Sequence, residues 1–203
     1  MGAGSGYVQI YPDRNGNNEY LYAYGAMLEA GSYSTSLIPT YGAISTRSQD
    51  ESYNNQSLVT DQNEFTMFAE VELTAIVDSQ FISVHNNSDS VVWINISSFG
   101  QISAQVFYGG GFVDTIQTSV GFASINTKYK TAYRIENGNS AFFINGVEIG
   151  TSSTTIANPN ALNYVELGNF WTSQNTSSNT KINNALVFNS LLTNAELADL
   201  TTI

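Results

Sequence analysis

The chain has 203 residues, of which 17 are acidic and 6 basic, giving a formal net charge of −11. So few lysines and arginines argue against a nucleic-acid partner, whose phosphates bind those side chains, and against an anionic membrane surface. The sequence has no cysteine, which excludes disulfides, cysteine-ligated zinc and thiol nucleophiles. No apolar run approaches the ~20 residues of a membrane span, so membrane insertion is not expected.

Charged residues make up only 11% of the chain, against about 25% in an average domain. The solvent-facing surface must therefore be built mainly from asparagine, serine, threonine and glutamine. Such a composition is typical of secreted or virion-surface β proteins. The length suits one large domain, or one domain with an appendage.

The N-terminal quarter is patterned differently from the rest. Residues 1–6 have neither a charged nor an apolar stretch and are predicted to be a flexible leader rather than a signal peptide. Residues 7–11 and 19–24 flank a short polar loop, which predicts a first β-hairpin. Residues 31–55 are polar and rich in turn formers, so we expect a surface connector without strands.

From Phe65 onward the sequence has the pattern of strands. Apolar residues occupy alternate positions from Phe65 to Val77, while Glu70 and Glu72 fall on the opposite face. This alternation is typical of a half-buried strand in a two-layer sheet. Similar segments at about 8–12-residue spacing predict a sandwich or barrel. They are residues 81–85, 91–97, 101–108, 112–117, 128–136, 163–167 and 181–188.

The strongest hairpin signal is the pair Asn145-Gly146 between two short apolar runs. A type I′ turn needs positive φ at both central residues, and Asn-Gly meets that need at the least steric cost. A second pair, Asn137-Gly138, precedes the first run, so three consecutive strands are predicted to be joined by tight turns. This arrangement indicates an antiparallel β protein.

One helix is predicted near the C-terminus. Thr193 and Glu196 have the spacing of a capping box, in which the first residue caps the helix and the fourth bonds back to it. Leu192 and Leu197 have the spacing of a hydrophobic staple around that cap. We expect a short helix that docks on the sandwich.

The last two thirds of the chain resemble laminin-G-like domains of the concanavalin A-like jelly-roll superfamily. The match is carried by residues 128–136, Phe-Ile-Asn-Gly at 143–146, Val-Glu-Leu-Gly at 165–168 and Leu-Leu-Thr-Asn-Ala-Glu-Leu at 191–197. For residues 56–203 the resemblance implies an all-β, two-sheet antiparallel jelly-roll sandwich with one short C-terminal helix. Residues 1–55 would be an N-terminal β-hairpin extension and linker for attachment or oligomerisation.

A second resemblance concerns residues 24–40 (YGAMLEAGSYSTSLIPT), followed by Thr46, Arg47 and Asp50. This stretch is similar to a linker of bacteriophage virion proteins that leads into a laminin-G-like module. Met27 stands where that pattern usually has glutamine. The resemblance implies a non-enzymatic fibre, tail or head-decoration protein at the virion surface. Its partners would be glycans and other virion proteins, and it would be a homo-oligomer. The alternative is a purely structural virion component.

Sugar binding needs an aromatic ring for the apolar face of a pyranose, with amides and hydroxyls to bond its hydroxyl groups. Two regions offer both features. In the first, Tyr108 and Phe112 flank three glycines, and in the second Trp171 stands close to Gln174 and Asn175. We predict these five residues as ligand-binding.

Other interpretations of these aromatic residues stay open at the sequence level. Tyr108 or its neighbour Phe107 could instead belong to the core, and Trp171 could cover the edge of the sandwich. Trp93 shares a face with Val91 and Asn95, and periodicity does not decide whether that face is core or surface.

Catalytic and metal sites are not predicted. Glu70 and Glu72 could couple as the acids of a retaining glycosidase do, but no further acid completes the longer motif of jelly-roll glycosidases. His85, the single histidine, is expected to be exposed at a loop. Calcium could be held by acidic loop residues, but these do not cluster in sequence, so no cofactor is predicted. The residues are Asp78, Asp89 and Asp114.

Overall fold

The computed structural model describes residues 52–54, 63–86, 89–157, 161–168 and 180–203. The predicted N-terminal hairpin lies outside these residues. Within them, no helix is long and apolar enough to cross a membrane. The elements are β1 (Ser52–Asn54), β2 (Phe65–Leu73), β3 (Ser79–His85), β4 (Val91–Ile96), β5 (Ile102–Tyr108), β6 (Gly111–Gln117), β7 (Lys128–Ile135), β8 (Ser140–Ile144), β9 (Val147–Ser152), β10 (Tyr164–Leu167), β11 (Thr180–Phe188) and α1 (Asn194–Thr201).

The strands form two antiparallel sheets. The front sheet has six strands in the order β1-β10-β3-β4-β5-β6, and the back sheet has five in the order β11-β2-β7-β8-β9. Some neighbours in the sheets are distant in sequence, as in β2 beside β7 and β11, whereas β3 to β6 and β7 to β9 follow one another along the chain. The predicted all-β, two-sheet jelly roll with one short C-terminal helix is confirmed.

The core lies between the two sheets and follows the predicted alternation. On β2 the inward residues Phe65, Met67, Ala69, Val71 and Leu73 are all fully buried. The strand ends at Leu73, earlier than the alternation suggests, because the backbone of Leu73 bonds to the loop residues Asn126 and Thr127 instead of continuing the ladder.

A buried polar contact links the two sheets. The Tyr133 hydroxyl on β7 donates to Asp114 Oδ2 on β6 at 2.9 Å. Burial raises the pKa of Tyr133 well above its usual value, and the negative charge and hydrogen bond of Asp114 raise it further. An acidic group inside the core is thereby held by a neutral donor.

The Asn145-Gly146 turn is confirmed as a two-residue hairpin. Ile144 pairs directly with Val147, and φ is 51° at Asn145 and 80° at Gly146. The Asn145 carboxamide also accepts a hydrogen bond from the Lys130 backbone N–H at 2.8 Å. The turn therefore fixes β8, β9 and the adjacent β7 relative to one another.

The C-terminal helix begins with the predicted capping box. The Thr193 N–H donates to the Glu196 carboxylate at 2.8 Å, and the Glu196 N–H donates to Thr193 Oγ1 at 3.3 Å. The backbone and side-chain hydrogen bonds from Thr193 lower the pKa of Glu196. Leu197 packs with Phe68 and Phe143 on the outer side of the back sheet. The helix therefore covers part of that face.

The connector prediction is wrong at its C-terminal end. Ser52–Asn54 forms β1 and pairs with Val165, Glu166 and Leu167 of β10. Three polar residues are too few to show an alternation, because the period of two needs several positions to be recognised. The division of the chain at residue 56 stays a prediction.

Candidate functional site

The outer face of the front sheet carries aromatic and polar side chains in three rows. Residues paired across antiparallel strands share a face, and the opposite face packs on the core. The first row is Tyr164, His85, Val91, Phe107 and Phe112; the second is Glu166, Ser83, Trp93, Gln105 and Thr115; the third is Gln80, Asn95, Ser103 and Gln117.

Three aromatic rings form a ledge on this face, which we call the aromatic ledge: Trp93, Phe107 and Phe112. Trp93 stacks on Phe107 with ring centroids 6.4 Å apart. Phe112 meets both rings edge-on, at 5.9 Å from Trp93 and 5.5 Å from Phe107. Trp93 is only 4% exposed, whereas Phe112 is 62% exposed. The ledge is thus anchored at Trp93 and reaches solvent at Phe112.

A bulge in β6 places Phe112 on the outer face. Asp114 pairs with Val106 on the core side, but the register shifts and Phe112 pairs with Phe107 on the outer side. Without the extra residue Val113, strict alternation would direct Phe112 to the same side as Asp114 and Ile116. Bulges commonly re-aim a side chain in this way near functional sites.

Beside the ledge, the orientation of the Gln105 carboxamide is fixed. Trp93 Nε1 donates to Gln105 Oε1 at 2.6 Å. An indole N–H can only donate, so it selects the amide oxygen and leaves the two N–H groups of Gln105 Nε2 as donors. These have no hydrogen-bond partner in the described part of the chain. Thr115 and Gln117 follow on β6 and are exposed.

Burial divides the outer face. On β3 and β4 the residues Ser83, His85 and Trp93 are buried, while on β6 Phe112 and Thr115 are exposed. A ligand can therefore reach the face at β5 and β6. What the arrangement offers there is an apolar ring edge and surface, one oriented amide and one hydroxyl.

The prediction of an exposed loop histidine is wrong. His85 is the last residue of β3, pairs with both Tyr164 and Val91, and is 1% exposed. Its ring stacks on Tyr164 at 5.4 Å, and Nε2 lies 3.2 Å from Glu166 Oε2. At His85, β3 is paired with β10 on one side and β4 on the other, which the polar sequence after His85 does not reveal.

The structure separates the predicted ligand residues. Phe112 lies at the exposed end of the ledge, but Tyr108 lies on the other side of β5, packed against the core, and its hydroxyl accepts from the Ala157 N–H at 3.2 Å. Trp171, Gln174 and Asn175 lie outside the described residues, so their role stays a prediction. The sequence pattern does not single out Phe107 or Gln105 as ligand-binding. It does allow Trp93 to lie on the sheet face.

The acidic residues considered as catalytic groups or calcium ligands lie in different parts of the fold. Glu70 and Glu72 lie on the back sheet, and Glu72 forms an ion pair of 3.1 Å with Lys181. Among the described residues no group of three histidine or acidic side chains could hold a metal ion. Asp78 accepts from the Ser98 N–H, Asp89 from the Asn86 amide and Asp114 from the Tyr133 hydroxyl.

A separate concavity of about 220 Å³ lies where β10 and β3 of the front sheet face β11 of the back sheet. Its described lining is apolar apart from Asn189. It lacks the convergent polar groups that a sugar needs. The ledge is therefore the better candidate for a polar ligand.

Comparison with known proteins shows similarity at the level of fold. No family model matches the chain, and no curated protein matches it. The CBM40 carbohydrate-binding domain of a Ruminococcus gnavus IT-sialidase, solved with alpha2,3 sialyllactose, is similar with a TM-score of 0.53 and 19% identity over 68% of this chain and 83% of that one.

Two larger proteins contain the same fold. A leech intramolecular trans-sialidase gives a TM-score of 0.56 and 18% identity, covering 76% of this chain but 28% of that one. The receptor-binding domain of botulinum neurotoxin type G gives a TM-score of 0.53 and 14% identity, and the match covers 73% of this chain and 41% of that one. This chain thus spans less than half of either protein. At these identities the likeness establishes the jelly-roll fold alone.

Proposed function

We propose that this chain is a carbohydrate-binding module whose ligand stacks on Phe112 at the aromatic ledge. The observation that carries the proposal is a ring exposed at 62%, supported by two further rings and placed beside the oriented amide of Gln105. The apolar face of a pyranose fits such a ring, and its hydroxyls need directional partners. Proteins of this fold include a domain solved with sialyllactose and a receptor-binding domain, which supports the proposal.

The module binds its glycan without cleaving it. Glycosidases place two carboxyl groups on either side of the scissile bond. The ledge has no carboxylate among its described outer-face neighbours on β5 and β6. Glu166 lies three strands from Gln105, about 14 Å at the usual strand spacing, and it contacts His85. Glu70 and Glu72 lie on the other sheet.

The setting we propose is the surface of a phage virion, as part of a fibre, tail or head decoration. Support comes from the similarity of residues 24–40 to a virion-protein linker and from the low charge content of the chain. The N-terminal hairpin would then contact other virion subunits or further copies of this chain, because a two-stranded ribbon is marginal alone. Light scattering with and without residues 1–30 tests the contact between copies: a monomer in both cases contradicts the homo-oligomer.

A structural role in the virion is the alternative, and one observation favours it. Two loops at one end of the front sheet are joined by a hydrogen bond from the Gly121 N–H to the Phe99 carbonyl at 2.9 Å. Together they expose several large apolar side chains, which is typical of a protein contact. These are Phe99, Val120, Phe122 and Ile125.

A glycan array separates the two roles. The wild-type chain is expected to bind a defined subset of glycans, and Phe112→Ala should lose those signals. Retention of every signal in Phe112→Ala would remove the ledge from the proposal. If the wild-type chain binds nothing on the array, the carbohydrate-binding role is rejected in favour of the structural one.

A further inference from the structure

The basic residues of the described chain lie away from the aromatic ledge. All four are on strands of the back sheet, and three of them make polar side-chain contacts. Lys181 pairs with Glu72, Lys130 donates to the Thr202 carbonyl, and Arg134 bonds to Asn139, Asn194 and Glu136; Lys128 is on the same strand as Lys130 and Arg134. Arg14 and Arg47, the other two basic residues of the chain, lie outside the described residues. None of the described cations belongs to a strand of the front sheet.

The one charged residue on the described strands β5 and β6 is negative. Asp114 is 6% exposed and lies on the core side of β6, between Val113 and the outer-face residue Thr115. Its described hydrogen-bond partner is the neutral hydroxyl of Tyr133, so its charge is not cancelled there. Burial first, and then the charge of Asp114, raise the pKa of Tyr133, so this partner stays a neutral donor.

The groups that do face a ligand are neutral. Gln105 offers amide N–H donors, Thr115 a hydroxyl that donates and accepts, and Gln117 a further amide. Sugar hydroxyls also donate and accept, so they match this set. A carboxylate or sulfate only accepts, and proteins usually hold such groups with arginine or lysine. Moving an anion from water to the ledge would therefore be costly.

We propose that the aromatic ledge selects neutral sugars and discriminates against sialylated, sulfated and uronic-acid glycans. This inference rests on the proposed carbohydrate-binding function. It separates the chain from the CBM40 domain of similar fold in a Ruminococcus gnavus IT-sialidase, which was solved with sialyllactose. The discrimination arises from the negative field of Asp114 and the lack of a described cation near Gln105.

The test is an array that displays neutral oligosaccharides beside their sialylated, sulfated and uronic-acid counterparts. We expect each acidic counterpart of a bound glycan to bind at least about tenfold more weakly than the neutral parent. Raising the ionic strength should lower the ratio of neutral to acidic glycan affinity, because salt screens the repulsion between Asp114 and an acidic glycan.

A charge-removing variant sharpens the test. Asp114→Asn keeps an oxygen that accepts from Tyr133 but removes the negative charge, so the neutral-to-acidic ratio should fall by about three- to fivefold. Affinity for the neutral parent should stay near the wild-type value. Asp199→Asn makes the same charge change on α1 and is the matched control, which should leave the ratio unchanged.

The outcomes distinguish the two proposals. An acidic glycan bound as tightly as its neutral parent, with binding lost in Phe112→Ala, overturns the selectivity and leaves the carbohydrate-binding function standing. An unchanged ratio in Asp114→Asn overturns the assigned cause. If the chain binds neither class of glycan, the proposed function fails and the selectivity fails with it.

Discussion

Trp93 Nε1 donates a 2.6 Å hydrogen bond to Gln105 Oε1, joining β4 and β5 on the outer face of the front sheet. The bond has two effects. It gives a buried indole N–H an acceptor, and it turns the amide nitrogen of Gln105 away from Trp93. Stability and ligand recognition are thus linked through one side chain, and two substitutions at that position can separate them.

Gln105→Glu keeps an oxygen acceptor for Trp93 but removes the amide donors. We expect little change in melting temperature and about a two- to tenfold loss of glycan affinity, since one hydrogen bond to the ligand is worth roughly 0.5–1.5 kcal/mol. Gln105→Ala removes the acceptor as well and should cost about 1–3 kcal/mol of unfolding free energy. Urea unfolding and titration calorimetry measure the two effects. Equal stability of the two variants would contradict the role of the Trp93 bond.

Gly146→Val tests the central hairpin. A valine would be strained at a φ of 80°, and its Cβ would lie 3.2 Å from Thr202 Oγ1. We expect a loss on the order of 1–3 kcal/mol in unfolding free energy. Gly111→Val is the matched control, because Gly111 has no positive φ and its Cβ would meet nothing within 4 Å. The turn assignment fails if Gly146→Val melts at the wild-type temperature.

The Tyr133–Asp114 contact predicts a dependence of stability on alkaline pH. The pKa of Tyr133 is raised in the folded chain, so the folded state holds the proton more tightly than the unfolded chain does. The resulting stability is present below the unfolded pKa of about 10 and is lost as pH rises towards the folded pKa.

Melting temperatures measured from pH 8 to 11 check this dependence. Tyr133→Phe cannot ionise at this position, so its melting temperature should fall less over that range than that of the wild-type chain. Its melting temperature at pH 8 should be lower than the wild-type value, because Asp114 loses its hydrogen-bond donor. The other tyrosines are common to both proteins. If the melting temperatures of the two proteins fall in parallel with rising pH, Tyr133 does not contribute to the pH dependence of stability.

Local patterns predicted the parts of the fold that depend on local rules. The alternation in β2, the Asn145-Gly146 turn and the Thr193 cap each follow from propensities of neighbouring residues, and the structure confirms them. The two-sheet arrangement was implied by the family resemblance rather than by periodicity, and the order of strands within each sheet, which depends on distant pairing, was not predicted.

The candidate site was less predictable because it depends on a register shift and on burial. The bulge at Val113 reverses the side to which Phe112 points, and no residue type at that position signals it. His85 lies between β4, which follows it closely in sequence, and β10, which comes from a distant part of the chain and stacks Tyr164 on its ring. Phe112 was selected from its glycine-rich loop, whereas its partners Trp93 and Phe107 became evident only from the pairing of β4 with β5.

The most direct test of the account compares two phenylalanines of similar exposure. Phe112 is 62% exposed on the ledge, and Phe99 is 69% exposed on a loop away from it. Both alanine variants should melt within about 2 °C of the wild-type chain, since surface substitutions usually change stability little. The measurement is calorimetric titration of each variant with the glycan that the wild-type chain binds best on the array. We expect about a tenfold weaker Kd for Phe112→Ala and an unchanged Kd for Phe99→Ala. Wild-type affinity in Phe112→Ala, or an equal loss in both variants, would contradict the account.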